Sequence, residues 1–374
     1  MEDILNRILD TDSIQDQQQD NETALEKFKK EFLIDDNIEY PEPEYLVEIG
    51  GTPTMPKGNI VALSAKWKNG KTFFCDIVSA IFLGSQNFNG CRALCNTGKV
   101  TFFDTEQAIS DTARIRRIIK RMTARNRHRD LQVYCLRNAE IENDEDDENK
   151  ISRFEFIQHI IKQEKPALVV IDGIADLIYN YNDVNESQEV VNKLAAIANE
   201  CNTCVIVVMH QNKSKGDKNM KGHLGTMLFQ KCSDVFSVEK IDQIFIVNHQ
   251  VSRHKSCDDF VFCIDPHGTP VDATEQRRFQ KEKLEEKEKR ELREELNNYL
   301  DDMEVASTRS TIAELIIKNG GKTRSTAFRI VRKAIAMGVL ETIDRRHFFI
   351  RKDEQNTESV SSVPTVPFVP FVPK

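Results

Sequence analysis

Lys71 lies in the run AKWKNGKT (65–72), the phosphate-cradling pattern G-x-x-x-x-G-K-[ST] with Ala65 in place of the first glycine. In such a run the backbone N–H groups of 67–72 would wrap a β-phosphate at a helix start, where the peptide dipoles favour an anion. Lys68, Asn69, Gly70, Lys71, Thr72 and Phe73 form the expected nucleotide cradle. The Lys71 ammonium would reach the β- and γ-phosphates, and the Thr72 hydroxyl would ligate Mg2+. Gly70 lets the backbone come close to phosphate. Ala65 matters little if its position needs only a small side chain, and matters more if the turn there requires positive φ.

The chemistry also needs carboxylates. Asp172 ends the apolar run ALVVIDG (167–173), where an acid can hold Mg2+ through water. FFDTEQ (102–107) ends another run and offers Glu106, 35 residues beyond Lys71, with Asp104 as competitor, to activate the attacking water. His210 closes CVIVVMH and could sense the γ-phosphate. The polar stretch NKSKGDKNMKGHLGT (212–226) after it reads as a basic, glycine-bearing loop with Lys213, Lys215, Lys218 and Lys221. Its NKSK start lacks the aspartate of the guanine-reading N-K-x-D, so the nucleotide expected is ATP.

Several elements must position these groups. Strand-like apolar runs at 59–65, 99–106, 131–138, 167–173 and 204–212 alternate with helix-like segments, which predicts an α/β core with a mostly parallel sheet and helices on both faces. Runs at 234–240, 244–253 and 260–266 follow without helices between them and predict an antiparallel extension at one edge. PEPEYLVEIGGTPTMPKG (41–58) reads as a loop leading into the core. The acidic run 140–150 reads as a solvated loop, and the almost wholly charged 275–296 as an exposed linker helix.

The predicted organisation is a polar tail (1–40), an ATPase domain (41–272), a charged linker helix (273–298), a small domain (299–353) and an extended V-P-x tail (354–374). The first residues carry neither a basic nor an apolar signal region, and no apolar run is long enough to cross a bilayer, so a cytoplasmic protein is expected. Nine cysteines are scattered; buried reduced thiols or a zinc site built from Cys91, Cys95, Cys201 and Cys204 both fit the spacing.

The net charge of −8 excludes a global basic field, so any nucleic-acid contact must be local. Residues 318–352 hold ten Lys/Arg against Glu341 and Asp344. The helix STIAELIIKN ends at Gly320-Gly321, a second runs from Ser325 to about Met337, and VLETIDRRHFFIRK follows as a two-stranded wing. This module resembles a winged helix-turn-helix. That resemblance implies Arg324, Arg329, Arg332 and Lys333 on or beside the helix offered to DNA, and Arg345 and Arg346 at the wing tip. The basic helix 113–129 is a second patch, for a DNA channel, a subunit interface or solvent.

The order AKWKNGKT, FFDTEQ, LVVIDGIADLI, VVMHQNK, KGHLGT, VSRHK resembles the RepA-like hexameric helicase branch of RecA-like P-loop ATPases, within it those of plasmids and mobile elements of Bacteroides-type bacteria. The resemblance spans about residues 40–272. It implies Glu106 as general base, Lys71, Thr72 and Asp172 around ATP and Mg2+, His210 as sensor, and Arg253 as a finger entering a neighbouring subunit. It also implies a homo-oligomer, a hexamer, acting on single- or double-stranded DNA. Against this motor stand an ATP-switched DNA-binding regulator and a recombinase-like filament protein.

Overall fold

The computed structural model describes residues 25–350, apart from 28, 30–32, 87, 89, 96–97, 126–128, 140–150, 215–216, 301–305 and 344–346. The acidic run 140–150, Lys215, Arg345, Arg346 and the V-P-x tail therefore lie outside the described residues.

The strands are β1 (Tyr45–Ile49), β2 (Thr52–Pro56), β3 (Ile60–Ala65), β4 (Cys91–Ala93), β5 (Val100–Asp104), β6 (Leu131–Cys135), β7 (Leu168–Asp172) and β8 (Cys204–His210). They continue as β9 (Asp234–Ile241), β10 (Ile244–Ser252), β11 (Phe260–Ile264), β12 (Pro270–Asp272), β13 (Ser307–Thr308), β14 (Leu340–Thr342) and β15 (His347–Ile350). The helices are α1 (Lys71–Phe82), α2 (Ile109–Met122), α3 (Arg153–Glu164), α4 (Val184–Glu200), α5 (Gly222–Lys231), α6 (Thr274–Tyr299), α7 (Arg309–Gly320) and α8 (Arg324–Ala336).

A nine-stranded sheet runs in the order β12-β11-β10-β9-β3-β8-β7-β5-β6. β9-β3-β8-β7-β5-β6 are parallel neighbours. β3, β5 and β7 are buried at every position, which is why these runs read as continuously apolar rather than alternating. One face packs Ile60, Phe103, Ile171 and Val207 against Ile157, Ile161, Leu194 and Leu224 of α3, α4 and α5. On the other, Phe74 of α1 meets Phe236 of β9 at 5.8 Å between ring centroids, and α2 packs on α1. The predicted α/β core with helices on both faces is thus present, and the β9–β10 hairpin supplies the antiparallel edge.

Three expectations change. The segment 41–58 is not only a loop: β1 and β2 pair around Gly50 and Gly51, whose φ values of 57° and 76° suit a two-residue hairpin turn, and β4 completes an antiparallel sheet. The flanking prolines and glycines masked this in the sequence. The stretch 212–226 turns helical at Gly222, where α5 begins and buries Leu224 and Leu228. The charged helix 275–296 is real as α6, but its last turns bury Leu292 and Leu296 with Ile312, Ile316, Val331 and Phe348 in a core of their own.

By contacts the chain divides into two units. One holds Met1–Phe260 and Ile264–Val271; the other holds Val261–Cys263 and Asp272–Lys374. In the second, Thr308 and Thr323 cap α7 and α8 by accepting the N–H groups of Thr311 and Thr326, while β13, β15 and β14 form a small antiparallel sheet. No described helix is long and apolar enough to cross a membrane.

Candidate nucleotide site

The turn between β3 and α1 settles the question Ala65 raised. Ala65 ends β3 fully buried, its carbonyl accepting the Gln211 N–H, and it is not among the positive-φ residues. Positive φ falls instead on Lys68 (59°) and Gly70 (80°). At Gly70 a Cβ would come within 2.6 Å of the Phe245 ring, so both dihedral and space require glycine there. α1 starts at Gly70 with no side-chain cap and no acid in its first turn, which leaves its N-terminal N–H groups to an outside acceptor.

A cavity of about 860 Å3 opens over this turn. Its walls include every predicted cradle residue from Lys68 to Phe73, together with Glu106, Asp172 and His210. Thr72 Oγ1 donates to Asp172 Oδ2 at 2.5 Å. The β7–β5 register sets Asp172 beside Asp104 across the sheet, at the ends of neighbouring strands. Lys71 Nζ stands 3.1 Å from His210 Nδ1, and His210 Nε2 stands 3.1 Å from Glu106 Oε1. An ammonium can only donate, so Nδ1 accepts and Nε2 carries the proton given to Glu106. Lys71, His210 and Glu106 thereby form one hydrogen-bonded chain across the cavity.

Burial shapes the charges. Desolvation pushes Asp172 up to about 6, opposed by the Thr72 hydrogen bond and reinforced by the nearby charges of Glu106 and Asp104. The His210 hydrogen bond holds Glu106 below the usual carboxylate range against its own partial burial. Burial lowers Lys71, with Asp172 and Glu106 opposing that shift. Glu106 and Asp104 divide cleanly. Asp104 accepts the N–H groups of Glu106 and Gln107 and the Thr112 hydroxyl, so it builds the turn from β5 towards α2. Glu106 faces the cavity.

The Thr72 hydroxyl and the Asp172 carboxylate are hard oxygen donors in contact, a set that fits Mg2+. Among the described residues no group of three or more His, Cys, Asp or Glu is placed to hold a metal, and the cysteines form no disulfide.

Sequence reasoning missed several residues. Arg114, Arg137, Arg153 and Asp176 also line the cavity. Arg114 lies over the Phe73 ring at 5.4 Å, and Arg153 is anchored to the carbonyls of Ala139 and Arg137. Asp76 follows Thr72 by one helical turn, and both its carboxylate oxygens are buried without a hydrogen-bond partner. Desolvation first, then the charge of Asp172, raises its pKa well above the usual range. These side chains come together from separate helices and from the turns after β6 and β7, and no local motif announces them. Trp67, the only tryptophan, is 73% exposed, its ring centroid 5.8 Å from that of His210.

Other predicted residues lie elsewhere. Arg253 does not line the cavity; its guanidinium donates to the Lys231 carbonyl. Lys213 and Lys221 line a neighbouring cavity of about 480 Å3 with Trp67, His210 and Tyr181. Lys218 pairs with Glu239. Arg324, Arg329, Arg332 and Lys333 are exposed on α8, and Lys333 has Glu288 of α6 at 3.4 Å. On the basic helix, Arg116 and Arg121 bind the carbonyls of Leu131 and His267.

A solved structure of an ATPase domain is similar over 58% of this chain and 85% of that one, at 15% identity and a TM-score of 0.42. No curated protein matches the chain in sequence. The model of the AAA domain family matches residues 22–216, just over half of the chain, and takes in the Lys71 turn, Glu106, Asp172 and His210. The chain belongs to the AAA domain family.

Proposed function

We propose that this chain is a DNA-dependent ATPase, a ring-forming motor of the RepA-like helicase kind, with the Lys71 turn as its nucleotide site. The observation that carries the reading is the coincidence, in one cavity, of an uncapped helix N-terminus, the Thr72–Asp172 pair and the Lys71–His210–Glu106 chain. The triphosphate of ATP takes the N–H groups of the turn and the Lys71 ammonium. Thr72, and Asp172 through water, would hold Mg2+, which would supply charge neutralisation at the phosphates. Glu106 orients and deprotonates the attacking water. When Lys71 turns to phosphate, His210 loses its Nδ1 donor, so the state of the nucleotide is felt at Glu106 and at the segment after β8. Arg253, absent from its own cavity, suits a finger that enters a neighbour's site, which requires an oligomer; a hexamer is the form this reading takes.

DNA contact is assigned to the second unit, read as a winged helix-turn-helix. Its support is the exposed row Arg324, Arg329 and Arg332 on α8, with Arg345 and Arg346 placed in the wing by sequence. Phosphate contacts would make that affinity salt-dependent.

Strand displacement with wild type and Lys71→Ala tests this reading. ATP-dependent unwinding that the substitution abolishes supports the motor. Specific duplex binding without unwinding makes the chain an ATP-switched regulator instead, and filaments on single strands make it a recombinase-like protein.

A further inference from the structure

We propose that Asp176 is a positioning residue for the hydrolytic step, holding Glu106 in place through the hydroxyl of Thr105. The inference rests on Glu106 acting as the general base.

Glu106 lies in the bend just past β5, so the direction of its carboxylate depends on how the chain at Thr105 is held. Thr105 is buried. Its N–H donates to the Asp172 carbonyl at 3.1 Å, tying it to the end of β7. Its Oγ1 lies 2.8 Å from Asp176 Oδ2, 2.9 Å from the Gly173 carbonyl and 3.1 Å from the Asp172 carbonyl. The carboxylate is the closest of these acceptors and the only side chain among them.

Asp176 stands in the single turn Ile174–Leu177 that follows β7, its N–H donating to the Gly173 carbonyl at 3.1 Å. The tether therefore joins two turns, the one bearing Glu106 and the one after Asp172. Gly173 shows how tightly they close. Its φ is 114°, and a Cβ there would lie 2.3 Å from Thr105 Oγ1, 2.9 Å from Asp176 Oδ2 and 2.9 Å from Glu106 Cγ. Thr105, Asp176 and Glu106 converge on one point with no room for a methyl group. The charge of Glu106 in turn helps to raise the pKa of Asp176, after desolvation as the larger cause, so the two carboxylates feel each other directly.

Cutting the tether frees the Thr105 rotamer and the peptide that carries Glu106. A general base displaced by about 1 Å costs on the order of 100-fold in rate, while the phosphate cradle on α1 is untouched. The effect falls on kcat and not on nucleotide affinity.

The test measures kcat for ATP hydrolysis and the Mg-ATP dissociation constant, read from Trp67 fluorescence, in Asp176→Ala, Asp176→Asn, Thr105→Val, Thr105→Ser and Glu106→Gln. Asp176→Ala and Thr105→Val are expected to lose roughly 10- to 100-fold in kcat with the dissociation constant within about twofold. Asp176→Asn and Thr105→Ser, which keep a hydrogen bond between the two side chains, recover most of that loss. Adding Asp176→Ala to Glu106→Gln lowers the rate no further. The proposal is overturned if Asp176→Ala and Thr105→Val keep wild-type kcat, if Asn fails to rescue, or if affinity falls in step with rate. Glu106→Gln separates the two levels of inference. A fully active Glu106→Gln sinks the general-base reading itself; an inactive one beside an active Asp176→Ala sinks only the tether.

Discussion

The nucleotide cavity and the helix α8 gather charged side chains in opposite ways. In the cavity Lys71 and Asp172 are buried, Lys71 touches His210, Asp172 touches Thr72, and His210 touches Glu106. On α8, Arg324, Arg329 and Arg332 stand in water. A charge withdrawn from solvent has no substitute partner when its neighbour is removed, so the cavity should fail at single substitutions. Exposed cations act on a polyanion by addition and are screened by salt, so α8 should weaken in small steps.

Arg253 gives the sharpest way to break this contrast, because it does not line the nucleotide cavity of its own chain and is proposed to act in a neighbour's. Arg253→Ala is expected to lower ATP turnover by about 10³-fold. If the chain forms the proposed ring, mixing it with Glu106→Gln subunits should restore part of the rate, since some sites would then pair an intact Arg253 with an intact Glu106. Failure to complement in mixed oligomers would remove Arg253 from the trans role.

Asp172 tests the cost of the buried charge. Its folded pKa of about 6 lies above the unfolded value of 3.8, so the native state holds the proton more tightly. Stability is therefore lost as pH rises from about 4 to 6, and ionised Asp172 costs on the order of 3 kcal/mol in the metal-free protein above that window. Asp172→Asn, which can still accept from Thr72, should raise the denaturation midpoint at pH 7.5 and leave it nearly unchanged at pH 4. A variant no more stable at pH 7.5 would show that the site does not strain its aspartate.

The smallest effects are expected on α8. Arg329→Ala and Arg332→Ala should each weaken DNA binding severalfold and reduce the slope of log affinity against log salt by about 1. Glu288→Gln, which releases Lys333, should strengthen binding by no more than about fivefold. Titrations at several salt concentrations decide both; an all-or-none loss from one arginine would make α8 resemble the cavity.

What was legible in the sequence follows the same division. β3, β5, β7 and β8 could be read because strands buried on both faces are apolar without interruption, and the residues at or just past their ends meet in one cavity. β1 and β2 were hidden among prolines and glycines, although Gly50-Gly51 is itself a hairpin signal. α5 was hidden because a glycine-bearing basic stretch runs straight into it. α6 reads as charged throughout, and two leucines in its last turns decide which core it joins. Asp76, Thr105 and Asp176 were illegible for a different reason: their meaning lies in atoms brought together by the packing of α1 and the pairing of β5 with β7. Ala65, which looked like the weak point of the phosphate motif, proved to be ordinary strand, with the positive φ carried by Lys68 and Gly70.

The central claim is that this cavity hydrolyses ATP with Glu106 as its base. Its most direct test is single-turnover phosphate release from pre-bound Mg-ATP in wild type and Glu106→Gln, with occupancy followed through Trp67. Full occupancy is expected in both, with release about 10²- to 10⁴-fold slower in the variant. Equal rates, or no release from a fully occupied wild type with DNA present, would contradict it.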